Sequence, residues 1–138
     1  MMQKKAGGKM TSFSLCMIVK NEEAVLSRAL KTAKTYADEI IVVDTGSTDK
    51  TVNVALLFTP NVFYFSWRDD FSAARNFAFE AATGDYVMWL DADDVIKSEE
   101  VEKIKKLKES ADKDIYIFDE ATSNIDIESE AVIMENIR

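Results

Sequence analysis

Three carboxylates lie within the four residues Asp91-Ala92-Asp93-Asp94, directly after the apolar run Tyr86–Leu90. Carboxylates this close repel one another, so water or a bound cation must screen their charge. At the end of a buried strand a hard divalent cation, Mg²⁺ or Mn²⁺, is a suitable partner, because it prefers oxygen ligands and bridges carboxylates to phosphate oxygens. The spacing alone also fits a solvated turn followed by a helix N-cap.

A second polar loop begins with Asp44, at the end of the apolar run Ile40–Val43. Gly46 permits a tight turn and a close approach of the backbone to a ligand. A helix start after Ser47 would present free N–H groups, and Asp44 is placed to accept hydrogen bonds from a base or a ribose. Helix capping explains Ser47 or Thr48 in part, but it does not explain an acid where an apolar residue would pack better.

Arg75 lies within a helical pattern that otherwise consists of alanine and phenylalanine. A long arginine stem can carry its charge past an apolar surface to water, to an anionic ligand or to an acidic cluster. The alanine and phenylalanine stripe itself is predicted to face the core.

Apolar runs of strand length alternate with segments of helical periodicity along the chain. The strands are predicted at Phe13–Val19, Glu39–Asp44, Val62–Phe65, Tyr86–Leu90 and Ile115–Phe118. The helices are predicted at Glu22–Tyr36, Thr51–Phe58, Asp70–Ala82 (with Gly84 as its C-cap), Ser98–Glu109 and Ile127–Ile137. Because the strands are apolar on both faces, the pattern predicts an α/β fold with a mostly parallel sheet flanked by helices.

Ligands of such sheets bind beyond the carboxyl ends of the strands. Polar segments follow the first four predicted strands at that edge, namely Lys20–Glu22, Asp44–Ser47, Ser66–Asp70 and Asp91–Asp94. We therefore expect the acidic cluster to share one site with the three other loops.

Composition narrows the chemistry and the partners. The chain has 138 residues and a net charge of -8, which fits one domain and argues against nucleic-acid binding. It has no histidine, so proton transfer would need a carboxylate, and a metal would be a hard one with oxygen ligands. The single Cys16 is predicted to be buried. No signal-peptide core follows the basic N-terminus and Phe13–Val19 is too short to span a membrane, so a cytoplasmic protein is expected.

Four motifs in series closely resemble the family-2 glycosyltransferases. They are Ser14–Glu23 (SLCMIVKNEE), Val43–Asp49 (VDTGSTD), Ala74–Asn76 (ARN) and Trp89–Asp94 (WLDADD). The resemblance covers roughly residues 12 to 112. It implies the GT-A fold in truncated form, a nucleotide-diphosphate-sugar donor, and Mn²⁺ or Mg²⁺ as cofactor.

The resemblance also implies roles for single residues. Asp44 would contact the nucleoside, and three residues, Val19, Asn21 and Glu22, would line the base pocket. Arg75 would lie near the donor. The segment Asp91-Ala92-Asp93 would meet ribose and metal, with Asp93 as the more direct metal ligand. The implied reaction is transfer of the sugar to an acceptor of unknown kind (glycan, lipid or protein) with inversion, and no residue matches the general base.

Residues 113–138 differ from the rest of the chain. Eight acids lie between residues 112 and 138 against two basic residues, Lys113 and Arg138. The segment Ile115–Asp126 (IYIFDEATSNID) resembles the Walker B motif and D-loop of ABC-transporter ATPases. There Asp119 would serve Mg²⁺ and Glu120 would position water, with residues 123–126 as the D-loop. No phosphate-binding G-x-x-x-x-G-K-[ST] sequence accompanies it.

The expected organisation is a tail at residues 1–11, the donor-binding domain at 12–112 and a strand-helix segment at 113–138. Two other functions stay open: an inactive module that binds nucleotide or a partner, and an ATP-binding fragment. A homodimer through an exposed sheet edge is also expected, because unpaired edges invite pairing with another chain.

Overall fold

The computed structural model describes residues 11–110, 115–118 and 131–135. Within these ranges the strands are β1 (Phe13–Val19), β2 (Glu39–Asp44), β3 (Val62–Tyr64), β4 (Tyr86–Trp89), β5 (Ile115–Phe118) and β6 (Ala131–Glu135). The helices are α1 (Glu23–Ala33), α2 (Thr51–Leu56), α3 (Phe71–Ala81) and α4 (Ser98–Ser110). Apart from the last strand, these elements match the predicted ones to within a few residues at each end.

One sheet contains all of the described strands, in the order β3-β2-β1-β4-β6-β5. The first four strands are parallel, with β1 between β2 and β4 and with β3 beside β2. β6 is antiparallel to both β4 and β5. The predicted α/β fold with a mostly parallel sheet is therefore confirmed. Its topology brings the carboxyl ends of β1 to β4 to one edge, where the predicted site lies.

The two faces of the sheet bury separate apolar clusters. One cluster packs Leu15 and Met17 of β1 against Leu30 of α1 and Ile104 of α4. The other lies under α3 and contains Cys16, which is fully buried and whose thiol donates to the carbonyl oxygen of Ala78 at 3.6 Å. Burial raises the pKa of that thiol to about 12. The predicted buried role of Cys16 is confirmed.

The predicted last helix, Ile127–Ile137, is wrong over its described part, because Ala131–Glu135 is strand β6. These residues pair with β4 in register, Val132 opposite Trp89 and Met134 opposite Val87. Without this partner one edge of β4 would leave its backbone groups unpaired, so pairing overrides the helical spacing of the local sequence. Asp119, Glu120 and the 123–126 loop lie outside the described residues.

Gly84 is not the C-cap of α3 as predicted. The helix ends at Ala81, and its C-cap residue is Ala82, which is extended (φ −75°, ψ 135°). Gly84 instead packs against β1, where an added Cβ would lie 2.6 Å from the hydroxyl oxygen of Ser14 and 3.0 Å from its backbone nitrogen. The glycine is therefore needed for the close approach of two backbones.

The described residues begin at Thr11, two residues before β1. Thr11 is buried, and its backbone N–H and hydroxyl both donate to the carbonyl oxygen of Lys108, at 2.8 and 3.0 Å. This ties the start of β1 to the end of α4. Among the residues that the structure describes, no helix is long and apolar enough to cross a membrane.

Candidate functional site

A cavity of about 380 Å³ lies over the carboxyl ends of the parallel strands. Its volume is within the range of small-molecule binding sites. Residues that follow each of β1 to β4 contribute to it, so the four polar loops predicted to share a site do so. The lining residues are Ile18, Val19, Lys20, Glu22, Thr45, Trp67, Phe71, Asp91, Ala92 and Asp93.

The acidic cluster occupies the β4 side of this cavity. Carboxylate oxygens of Asp91, Asp93 and Asp94 all lie within 4.8 Å of one another. Asp94 is buried and shapes the turn, since its carboxylate accepts from the Asp91 backbone N–H at 3.1 Å. Asp93 is exposed and Asp91 is half-buried. The two that line the cavity are thus the ones placed to meet a ligand.

Glu22 adds a fourth acidic side chain from the loop after β1. Burial raises the pKa of its carboxyl group, and the negative charges of Asp93, Asp91 and Asp49 raise it further. Carboxylates that lie this close together repel one another and offer a set of hard oxygen donors. The residues present therefore fit a divalent cation of the Mg²⁺ or Mn²⁺ kind.

Asn21 joins the loop after β1 to the loop after β2. It adopts a positive φ of 55°, which asparagine tolerates better than most residues. Its backbone N–H donates to the Ser47 hydroxyl at 2.9 Å, and its side-chain oxygen accepts from the Thr48 N–H at 2.8 Å. The next residue, Glu22, donates its N–H to the Thr51 hydroxyl at 2.9 Å. Asn21 thus links the two loops by hydrogen bonds and is not among the residues that line the cavity.

Asp44 is buried at the end of β2 and organises its own loop. One carboxylate oxygen accepts from the backbone N–H groups of Gly46 and Ser47, both at 3.1 Å, and the other accepts from the Ser47 hydroxyl. Gly46 has a φ of +123°, a conformation that favours glycine. Through these hydrogen bonds Asp44 stabilises the turn that follows β2. Asp44, Gly46 and Ser47 are not among the residues that line the cavity.

The predicted capping role of Ser47 or Thr48 is wrong, because α2 begins further along the chain. Its N-cap is Lys50, which makes no side-chain capping bond. Asp49 instead accepts from the Thr51 N–H at 2.9 Å. Ser47 and Thr48 are therefore held by Asp44 and Asn21 in the loop, as described above.

Arg75 lies beside two aromatic rings that contact each other, and it is not among the residues that line the cavity. Its guanidinium carbon is 5.2 Å from the ring centroid of Phe71 and 5.5 Å from that of Trp89, which are cation–π distances. Its Nε is buried and makes no hydrogen bond. Arg75 therefore supports the cavity wall from behind through Phe71.

Five of the lining residues were not singled out as site residues in the sequence: Ile18, Lys20, Thr45, Trp67 and Phe71. Trp67 and Phe71 flank the acidic turn after β3, in a segment expected at this edge for its polar residues. Large aromatic side chains beside such a turn, outside both the strand and the helix interior, were the available signal. Ile18, Lys20 and Thr45 are each adjacent to a predicted residue and carried no separate signal.

The family model for glycosyl transferase family 2 matches residues 14–128 of this chain. The match therefore continues beyond residue 112 into the segment that contains β5.

Curated relatives include proteins of several bacteria. The chain is 49% identical over 88 residues to a TPR repeat-containing protein of Synechococcus elongatus. It is 39% identical over 93 residues to the SPbeta prophage-derived glycosyltransferase SunS of Bacillus subtilis, and 34% identical over 108 residues to an uncharacterized glycosyltransferase of Rickettsia typhi. These alignments cover 64%, 66% and 78% of this chain but 22%, 22% and 37% of the relatives.

Solved structures show the same fold. Glucosyl-3-phosphoglycerate synthase of Mycobacterium tuberculosis aligns with a TM-score of 0.55 at 26% identity, over 62% of this chain and 35% of that one. TarS of S. aureus aligns with a TM-score of 0.61 at 23% identity, over 75% and 34% of the two chains. The strand order and the acidic cluster after β4 are consistent with the family match. The chain belongs to glycosyl transferase family 2 and has the GT-A fold.

Proposed function

We propose that this chain binds a nucleotide-diphosphate sugar through Mn²⁺ or Mg²⁺ and serves transfer of the sugar to an acceptor, with inversion. The observation that carries the proposal is the group of Asp91, Asp93 and Asp94 carboxylates within 4.8 Å of one another, two of them lining a cavity of about 380 Å³. Asp93 and Asp91 are the proposed metal ligands. Val19, Glu22 and Ala92 are proposed to contact the donor.

Structural neighbours support this assignment of ligand and metal. Glucosyl-3-phosphoglycerate synthase of M. tuberculosis has been crystallised with Mg²⁺ and uridine diphosphate. The same enzyme has been crystallised with Mn²⁺, uridine-diphosphate-glucose and phosphoglyceric acid. This chain spans about a third of that enzyme, so donor, metal and acceptor are proposals here.

The side chains of this chain would divide the work of donor binding. Asp91 and Asp93 hold negative charge at the β4 side, and a divalent cation bound there would offset the charge of the departing diphosphate. The hydrogen bonds of Asn21 hold the Glu22 loop in place before a ligand binds. Because the loop is already ordered, binding costs less conformational entropy. Asp44, Gly46 and Ser47 are proposed to hold the adjoining loop against the nucleoside.

We propose that residues 12–112 carry the donor site and that the two strands described within residues 113–138, β5 and β6, complete the sheet. The pairing of β6 with β4 and β5 supports this role for the tail. This structural role does not require the ATPase-like sequence, Ile115–Asp126, to bind ATP.

A thermal-shift experiment tests donor binding. Uridine or guanosine diphosphate should raise the melting temperature only when Mn²⁺ or Mg²⁺ is present, because ligand that binds the folded state stabilises it. Asp93→Asn should abolish the shift, whereas Glu109→Gln, an exposed acid on α4, removes the same charge and should leave it intact. An equal shift in Asp93→Asn and the wild type would refute the metal assignment.

Turnover separates the proposal from its alternatives. Donor hydrolysis or transfer by the pure protein would exclude the inactive module, whereas metal-dependent binding without turnover would favour it. We expect ATP not to displace a bound nucleotide sugar. Displacement by ATP at similar concentration would favour the ATP-binding alternative.

A further inference from the structure

We propose that Trp67 and Phe71 form an aromatic wall on which the nucleobase of the donor stacks. This inference rests on the function proposed above and assigns binding residues that the family motifs in the chain do not include. Both residues line the cavity that contains Asp91 and Asp93.

The exposure of the two rings calls for a ligand. Trp67 is 43% exposed and Phe71 is 41% exposed. Aromatic side chains of this size contribute most when they are buried, and exposed apolar surface within a cavity commonly marks a binding site. Their place in the wall of a concave site distinguishes them from Tyr64, which is 66% exposed and does not line the cavity.

The Trp67 ring is held in place before any ligand binds. Its indole N–H donates to the Asp69 carboxylate at 2.9 Å, and Asp69 itself adopts a positive φ of 55°. Asp70 then caps α3 by accepting from the Ala73 N–H at 3.2 Å. A ring fixed in this way loses little conformational entropy when a ligand stacks on it.

The Phe71 ring is supported from behind. It packs edge-to-face on Trp89, with ring centroids 5.4 Å apart, and the Arg75 guanidinium lies 5.2 Å from its centroid. Trp67 and Phe71 themselves lie 6.5 Å apart at an interplanar angle of 63°. The two rings therefore meet at a tilt, and each is held by neighbouring side chains.

The chemistry of the cavity selects the nucleobase over the other parts of the donor. The Asp91 and Asp93 side of the cavity, with a cation, suits the diphosphate. Ile18 and Val19 add further apolar side chains to the lining of the same cavity. A nucleobase offers a flat π face to aromatic rings, whereas a sugar presents hydroxyl groups that need hydrogen-bond partners.

Calorimetric binding of uridine diphosphate and of pyrophosphate, each with Mn²⁺, tests the wall. Trp67→Ala should weaken uridine diphosphate about tenfold and leave pyrophosphate unchanged, because only the former has a base to stack. Trp67→Phe should keep most of the affinity, and Tyr64→Ala should match the wild type. Uridine diphosphate should also quench tryptophan fluorescence in the wild type, and much less in Trp67→Phe.

Phe71→Leu provides a second variant, with melting curves to check folding, and is expected to weaken uridine diphosphate in the same selective way. Wild-type affinity in Trp67→Ala, or an equal loss for pyrophosphate, would overturn the inference. A loss confined to uridine-diphosphate-glucose would show that the rings meet the sugar and would also overturn it. Failure of the wild type to bind either uridine or guanosine diphosphate with Mn²⁺ would instead refute the proposed function, and the inference with it.

Discussion

At the scale of single residues, the acidic side chains around the cavity decide what it can bind. The acidic cluster was predictable from the sequence, because charges that crowd together after an apolar strand need a compensating partner. The sequence did not indicate which of the three acids holds the turn and which line the cavity, because the hydrogen bond from the Asp91 N–H to Asp94 depends on the folded turn. Trp67 and Phe71 were missed for a similar reason, because aromatic residues are ordinarily assigned to the core and only the fold shows these two exposed.

The Glu22 carboxylate should lower the folding stability of the metal-free protein at neutral pH. Burial and the neighbouring acids raise the pKa of its carboxyl group in the folded state above the usual value of 4.5. The folded state thus binds this proton more tightly than the unfolded state does, so stability falls as pH rises from about that value through the folded pKa. Above that window the ionised carboxylate destabilises the fold.

Glu22→Gln should therefore raise the melting temperature at pH 7 by about 1–2 °C, a small gain because solvent partly screens these charges. The gain should vanish near pH 4, where Glu22 is protonated. Melting curves at the two pH values, with Glu109→Gln as the control, measure it. A gain of the same size at both pH values would contradict the electrostatic cause.

At the scale of elements, the regular alternation of apolar runs and helical periodicity was enough to predict the first four strands and the helices that follow them. β1, β2 and β4 are mostly apolar and buried, which is the sequence pattern of a parallel strand covered on both faces, whereas β3 is an edge strand with Phe63 and Tyr64 exposed. The last strand was misread because Ala131–Glu135 owes its conformation to pairing with β4 and β5, a long-range effect that local spacing does not contain. Gly84 was misread as a helix end for the same reason, since its partner is β1.

Gly84→Ala should destabilise the protein by about 2 kcal/mol, because the new methyl group overpacks a tight contact. Two of its three nearest atoms would be backbone atoms, the Ser14 nitrogen at 3.0 Å and the Ser12 carbonyl oxygen at 3.1 Å, which cannot rotate away. Denaturant unfolding measures the loss. Ser72→Ala, on the exposed surface of α3, should change stability by less than about 0.5 kcal/mol and serves as the control. Unchanged stability in Gly84→Ala would show that the backbones are not in close contact.

At the scale of the whole molecule, the sheet leaves β3 and β5 as its two edges among the described strands. The edge of β4 is covered by β6, so the expected homodimer, which remains a prediction, would use one of the other two. β3 has only three residues, and its Tyr64 is 66% exposed. Light scattering of the pure protein measures the oligomeric state, and a monomer at all concentrations would exclude the dimer.

The central claim is that four strand ends converge on one metal-dependent site for a nucleotide diphosphate. Its most direct test is a crystal structure of the protein soaked with uridine diphosphate and Mn²⁺. We predict an anomalous manganese peak between the Asp93 carboxylate and the diphosphate, with the nucleoside in the cavity over β1. Nucleotide bound elsewhere, or manganese bound away from Asp91 and Asp93, would contradict it.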